Sequence, residues 1–100
     1  MILNFERYPM QSNFLLGSLR ITEDARIKLK RIPYDLICRH AVNDHGLLSR
    51  RELRRNEMSM KTIGEIISRY LVDPTDPSQG SVVIVTAEAW DETLVKMENE

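Results

Sequence analysis

Two stretches decide the fold: Glu65-Ile66-Ile67-Ser68-Arg69-Tyr70-Leu71-Val72 and Ser81-Val82-Val83-Ile84-Val85-Thr86. Both are rich in β-branched and aromatic residues, which fit a pleated, half-buried surface better than a helix. Between them lies Asp73-Pro74-Thr75-Asp76-Pro77-Ser78-Gln79-Gly80, a cluster of turn formers. The second run is the most hydrophobic, which predicts an inner strand buried on both faces. A third run, Thr93-Leu94-Val95-Lys96-Met97, follows the connection Ala87 to Glu92. Short connections between three strands favour an antiparallel meander.

Working back towards the N-terminus, Gly64 closes a helical segment. Ser49-Arg50-Arg51-Glu52 fits the capping box S-x-x-E, in which hydroxyl and carboxylate reciprocally satisfy backbone N–H groups. It predicts a helix over about Arg50 to Thr62, with a thin apolar face of Leu53, Met60 and Met58, lying on the surface. Leu36, Ile37, His40 and Ala41 predict a shorter helix that ends near Asn43-Asp44-His45-Gly46, where Gly46 can supply a left-handed turn. Thr22 reads as the N-cap of a first helix, with Glu23 and Asp24 at its positive end. Ala25, Leu29 and Ile32 share one face, and Pro33 is expected to stop it. Phe14 to Ile21 reads as a strand with Gly17 at a bulge or a close backbone approach.

Residues 1–13 read as an irregular arm, apolar at Ile2, Leu3, Phe5, Tyr8 and Met10 and interrupted by Pro9. Residues 14–100 read as a single domain. The expected fold class is α+β: a small antiparallel β-sheet, built from the C-terminal meander plus an N-terminal strand, with two or three short helices. A sheet this small leaves an edge that can pair with another chain, so a homodimer is admitted.

One hundred residues hold one modest core and bury roughly 60–70% of the unfolded surface. Cys38 is the only cysteine, which excludes an internal disulfide and suits a reducing compartment. No run approaches a membrane span and the first residues lack a basic, then apolar, signal pattern, so the expected location is the cytoplasm. The net charge is −1, unevenly spread. Residues 20–61 carry +5 (eleven basic against six acidic), and residues 62–100 carry −6 (two against eight). Such a chain can offer a basic face to an anionic partner or an acidic face to a basic one.

No P-loop, GxGxxG, H-E-x-x-H or G-x-S-x-G pattern occurs. Cys38, His40, His45 and Asp44 are metal-ligating types, but their spacing matches no standard site. Cys38 and His40 are two apart, and such positions do not face each other on a helix. Catalytic, cofactor and metal residues are therefore expected to be none; an enzyme using Asp44, His40 and His45 ranks last. The pattern that stands out is Arg50-Arg51-Glu52-Leu53-Arg54-Arg55, where Arg50/Arg54 and Arg51/Arg55 align at i, i+4 as a basic ridge. It can track phosphates or dock on an acidic protein surface. Scarce aromatics argue against single-strand binding.

From Gly17 to about Met97 the chain resembles a family of short, largely uncharacterised proteins carried by plasmids, integrative elements and phage-like regions of proteobacteria. The resemblance rests on Arg39-His40, Asp44, Gly46, Leu48, Glu52, Asn56, Gly64-Glu65-Ile66-Ile67-Ser68-Arg69-Tyr70, Ile84-Val85-Thr86 and Thr93-Leu94-Val95. The chain departs from the pattern at His45, where the family favours Trp, and at Asn43, where it favours Gly. Its I-T-E-A stretch is broken to Val85-Thr86-Ala87-Glu88, and a terminal Leu-Pro is absent. Some relatives are labelled as a modification subunit of a type I restriction system. This chain is too short for a methyltransferase and lacks the N/D-P-P-Y/F loop.

What the resemblance implies is a mobile-element setting, where small non-enzymatic proteins often block a host defence by occupying a surface or mimicking nucleic acid. The expected function is therefore an inhibitor of a host protein complex, of anti-CRISPR or anti-restriction type. The contact residues would be Arg50, Arg51, Arg54, Arg55, Arg39, His40 and Asp44. The alternative is a small DNA-binding regulator using the Arg-rich helix.

Overall fold

The computed structural model describes Ile2–Leu3 and residues 12–100. The order of elements is β1 (Ile2–Leu3), β2 (Ser18–Ile21), α1 (Glu23–Leu29), α2 (Tyr34–Ala41), α3 (Arg50–Thr62), β3 (Ile66–Leu71), β4 (Ser81–Thr86) and β5 (Glu92–Met97). The class is α+β. The strands form one sheet in the order β1-β2-β5-β4-β3.

The meander expected from the three C-terminal runs is present: β3 pairs antiparallel with β4, and β4 with β5. The N-terminal strand departs from expectation. It lies parallel to β5, with Leu19 opposite Thr93 and Ile21 opposite Val95, so the sheet is mixed rather than antiparallel. The reason is topological. Three helices and two strands separate β2 from β5, and so long a crossover can return the chain in the same direction.

Alternation decides the burial. On one face lie Leu19 and Ile21, Ile66, Ser68 and Tyr70, Val82, Ile84 and Thr86, then Thr93, Val95 and Met97, all buried. Helix α1 packs on β5 and α2 on β3, adding Ala25, Leu36, Ile37, His40 and Ala41 to the core.

Several boundaries moved. Helix α1 has the expected Thr22 cap, whose hydroxyl accepts from Ala25 N–H. It ends at Leu29 rather than at Pro33, because Lys30 turns left-handed. The strand expected from Phe14 is confined to Ser18–Ile21, where Ser18 N–H donates to Asp91 C=O at 3.0 Å. Phe14 and Leu16 are buried without pairing as a strand. The arm expected over residues 1–13 is not wholly irregular: Ile2 and Leu3 pair antiparallel with Arg20 and Leu19. Met1 and residues 4–11, with Phe5, Tyr8 and Met10, lie outside the described residues. Among the described residues no helix is long and apolar enough to cross a membrane.

Candidate interaction surface on helix α3

Helix α3 begins with the capping box: Glu52 N–H donates to Ser49 Oγ at 3.1 Å and Ser49 N–H to Glu52 Oε1 at 3.0 Å. The Glu52 carboxylate also takes two bonds from the Arg69 guanidinium, at 3.2 and 3.1 Å, which fixes the first turn of α3 to β3. Arg69 and the backbone of Ser49 hold the Glu52 carboxyl down to about 2. Arg69 Nε stands 3.2 Å from Glu98 Oε1, a charge contact whose angle makes no hydrogen bond.

One turn later Asn56, 2% exposed, bonds the edge of β3 with both ends of its amide. Its Nδ2 donates to Ile67 C=O at 2.8 Å, and its Oδ1 accepts from Ile67 N–H at 3.0 Å. Two residues further along β3, Arg69 N–H donates to His45 C=O at 3.0 Å and Leu47 N–H to Arg69 C=O at 2.8 Å. Over residues 67–69 the outer edge of β3 is thus occupied by side-chain amide and loop backbone. Asn56→Asp is expected to destabilise the domain by about 2–4 kcal/mol at pH 7. It leaves Ile67 C=O facing a buried oxygen and puts a charge where none is paired. A denaturant midpoint unchanged from wild type would contradict it.

Because Glu52, Asn56 and Met60 face the body, a 100° step per residue turns Arg50, Arg51, Arg54 and Lys61 to solvent, with Arg55 on the flank. All five are exposed. Leu53 and Met58, expected on the apolar face, are 41% and 59% exposed. The inward position between them in the chain is Asn56, so the helix is held to the body by polar bonds more than by apolar burial.

The ion pairs separate the arginines into two sets. Arg20 pairs with Glu92, Arg26 with Glu23, Arg31 with Asp35, Arg39 with Asp44 and Arg69 with Glu52. Among the described residues, Arg50, Arg51, Arg54 and Arg55 have no ion-pair partner. Their placement also works against the helix. Cations in the first turn oppose the macrodipole by about 0.3–1 kcal/mol each. Like charges at i, i+4 oppose it by about 0.2–0.5 kcal/mol per pair.

The remaining candidate residues are engaged inside the fold. Arg39 and Asp44 form a two-bond pair, at 2.7 and 3.2 Å, that lowers the Asp44 carboxyl below its usual range. The Arg39 guanidinium lies 4.7 Å from the centre of the Tyr70 ring, and the Tyr70 hydroxyl donates to Asp44 C=O at 2.6 Å. Burial raises the Tyr70 phenol to about 12. His40 is fully buried, so a partner cannot touch it while the domain is folded.

His40 instead belongs to a polar chain that sequence reasoning missed. Its Nδ1 is 2.6 Å from Ser68 Oγ, and its Nε2 is 2.9 Å from Thr86 Oγ1. His45 Nδ1 also meets Ser68 Oγ, at 2.7 Å. Thr86 and Thr93 hydroxyls are 2.7 Å apart, and Thr93 donates to Leu16 C=O at 2.6 Å. Burial pushes His40 down to about 3 and lowers His45 as well. Ser68 beside two imidazoles has the atoms of a nucleophile–base pair, yet its 0% exposure leaves no room for a substrate. Among the described residues no three His, Cys, Asp or Glu side chains gather as a metal site.

An open groove of about 650 Å³ lies by α1 and the ends of β4 and β5, lined by Lys28, Gln79, Met97 and Glu98 among others. It gathers no convergent set of catalytic groups. Arg39, Asp44, Gly46, Glu52, Asn56, Ser68, Arg69, Tyr70, Thr86 and Thr93 all hold elements together. Compared with family models, curated proteins and solved structures, the chain matches none.

Proposed function

We propose that the protein acts by binding, and that the exposed basic face of α3 docks on an acidic surface of a protein complex. In the setting that the resemblance implies, that complex is a host defence machine, a CRISPR effector or restriction enzyme, and docking inhibits it. The observation that carries this reading is that, among the described residues, Arg50, Arg51, Arg54 and Arg55 have no ion-pair partner while the other arginines do. Four charges that oppose their own helix and find no acid among the described residues supply attraction to something outside the fold. Exposed Leu53 and Met58 on the same helix favour a protein surface, where apolar contacts complement arginine, over a phosphate backbone.

The test compares wild type with a variant in which Arg50, Arg51, Arg54 and Arg55 are all Ala. The variant is expected to unfold no more easily than wild type, because the substitutions remove repulsion and add helix propensity. It is expected to lose partner affinity about 100-fold or more, roughly 0.7 kcal/mol per arginine. Pull-downs from host lysate at low and high salt, with and without nuclease, read the outcome. A protein partner that survives nuclease and is lost with the variant supports the reading. The same partner retained by the variant overturns it. Recovery of nucleic acid alone, falling steeply with salt, replaces it with the DNA-binding reading, in which the ridge tracks phosphates.

A further inference from the structure

We infer that the buried polar chain runs in one direction only, set by the Leu16 carbonyl, and that it couples the tautomer of His45 to the anchorage of the segment leading into β2. The argument needs only the number of protons each group owns. A carbonyl cannot donate, so the single Thr93 hydroxyl proton goes to Leu16 C=O. Thr93 then has none left for Thr86, and at 2.7 Å Thr86 must be the donor. With its own proton spent, Thr86 can only accept from His40, so His40 carries its proton on Nε2. A neutral His40 then presents a bare Nδ1 to Ser68 at 2.6 Å, and Ser68 must donate to it. Ser68 in turn has nothing left for His45 Nδ1, which must itself carry a proton. The two imidazoles are held as opposite tautomers, Nε2–H at His40 and Nδ1–H at His45. Every proton points from the Asp44 side of the fold towards Leu16.

The chain of hydroxyls and imidazoles runs across successive parts of the fold. His40 comes from α2, His45 from the loop that bridges to Arg69, Ser68 from β3, Thr86 from β4, Thr93 from β5, and Leu16 from the segment before β2. Phe14 of that segment stands edge-on to His40, ring centres 5.1 Å apart. Cutting the last link should therefore be felt at the first. In Thr93→Val, the Thr86 proton loses its acceptor inside the core and is satisfied only by turning to His40 Nε2. His40 must then donate through Nδ1 to Ser68, Ser68 to His45 Nδ1, and His45 must keep its proton on Nε2.

Long-range ¹H–¹⁵N correlation spectra of the imidazoles at pH 7 test this directly. Wild type is expected to show Nε2–H at His40 and Nδ1–H at His45; either ring in the opposite tautomer overturns the inference. Thr93→Val is expected to reverse both rings together, and Thr93→Ser, which keeps the hydroxyl, to leave both as in wild type. A change at His40 with His45 untouched would show that the links are independent. If Thr93→Val does not fold, Ser68→Ala cuts the chain in the middle. His40 should then stay Nε2–H through Thr86, while His45 becomes a mixture; an unmixed His45 would overturn the coupling.

Discussion

Gly46→Ala should remove the cooperative unfolding transition or shift it by at least about 3 kcal/mol, a large part of the 5–15 kcal/mol that stabilises a domain of this size. Two effects combine. Gly46 has φ +71°, which an L side chain adopts only with strain of about 1 kcal/mol. A Cβ there would also stand 2.1 Å from Arg69 C=O and 2.7 Å from the Tyr70 ring. The loop cannot back away cheaply, because His45 and Leu47 on either side bond the same Arg69 backbone. Retreat would break those bonds and draw Asp44 C=O from the Tyr70 hydroxyl. Gly80→Ala is the control. Gly80 has φ +87°, but its Cβ would meet nothing nearer than Met97 Cε at 4.0 Å. Urea denaturation should find Gly46→Ala far worse than Gly80→Ala; equal losses would mean that strain alone, and not the close approach, sets the effect.

The second large effect is acid sensitivity. His40 is lowered from 6.5 to about 3 by burial and by the nearby His45. The unfolded chain therefore takes up a proton that the folded chain refuses. Its contribution is fully present above pH 6.5 and is lost as pH falls towards about 3. The slope is about 1.4 kcal/mol per pH unit from His40 alone. His45, also lowered by burial, adds to it in the same direction. Glu52, Asp44 and Asp35 are lowered too, and their contributions fade only below their unfolded values of 4.5 and 3.8. Between pH 6.5 and 4.5 the loss should therefore come from the histidines. Stability measured by denaturant at half-unit steps should fall across that window. A flat profile there would mean that the imidazoles accept protons in the folded state. His40→Gln should reduce the slope whatever it does to the absolute stability.

The meander, the three helices and the capping box were legible because each is written in local pattern. Runs of β-forming and hydrophobic residues set off by turn formers gave β3, β4 and β5, and Ser49-x-x-Glu52 gave the start of α3 to the residue. The parallel placement of β2 was not, since it depends on which strand is free to receive it after the crossover. The basic ridge was visible as a spacing, but that its arginines lack partners while Arg39 and Asp44 hold each other is a fact of tertiary structure. The buried polar residues were missed for a related reason. Thr93 and Leu16 are 77 positions apart, and no window along the chain joins them. A signal was nevertheless present. Ser68, Thr86 and Thr93 occupy inward positions in register with Ile66, Ile84 and Val95, and a hydroxyl at such a position must find a partner. Asn56 likewise shares the Glu52–Met60 face of α3, where an apolar residue would be the ordinary choice.

The amide of Asn56 occupies the place that a neighbouring strand's peptide group would take beside Ile67. A sheet grows by templating: each exposed edge offers its donors and acceptors to the next chain, and growth continues as long as every added chain exposes another edge. Over residues 67–69 the outer edge of β3 has no free peptide group to offer a second chain. Strand addition at this stretch is therefore blocked by the fold's own side chain and loop, before any second copy arrives.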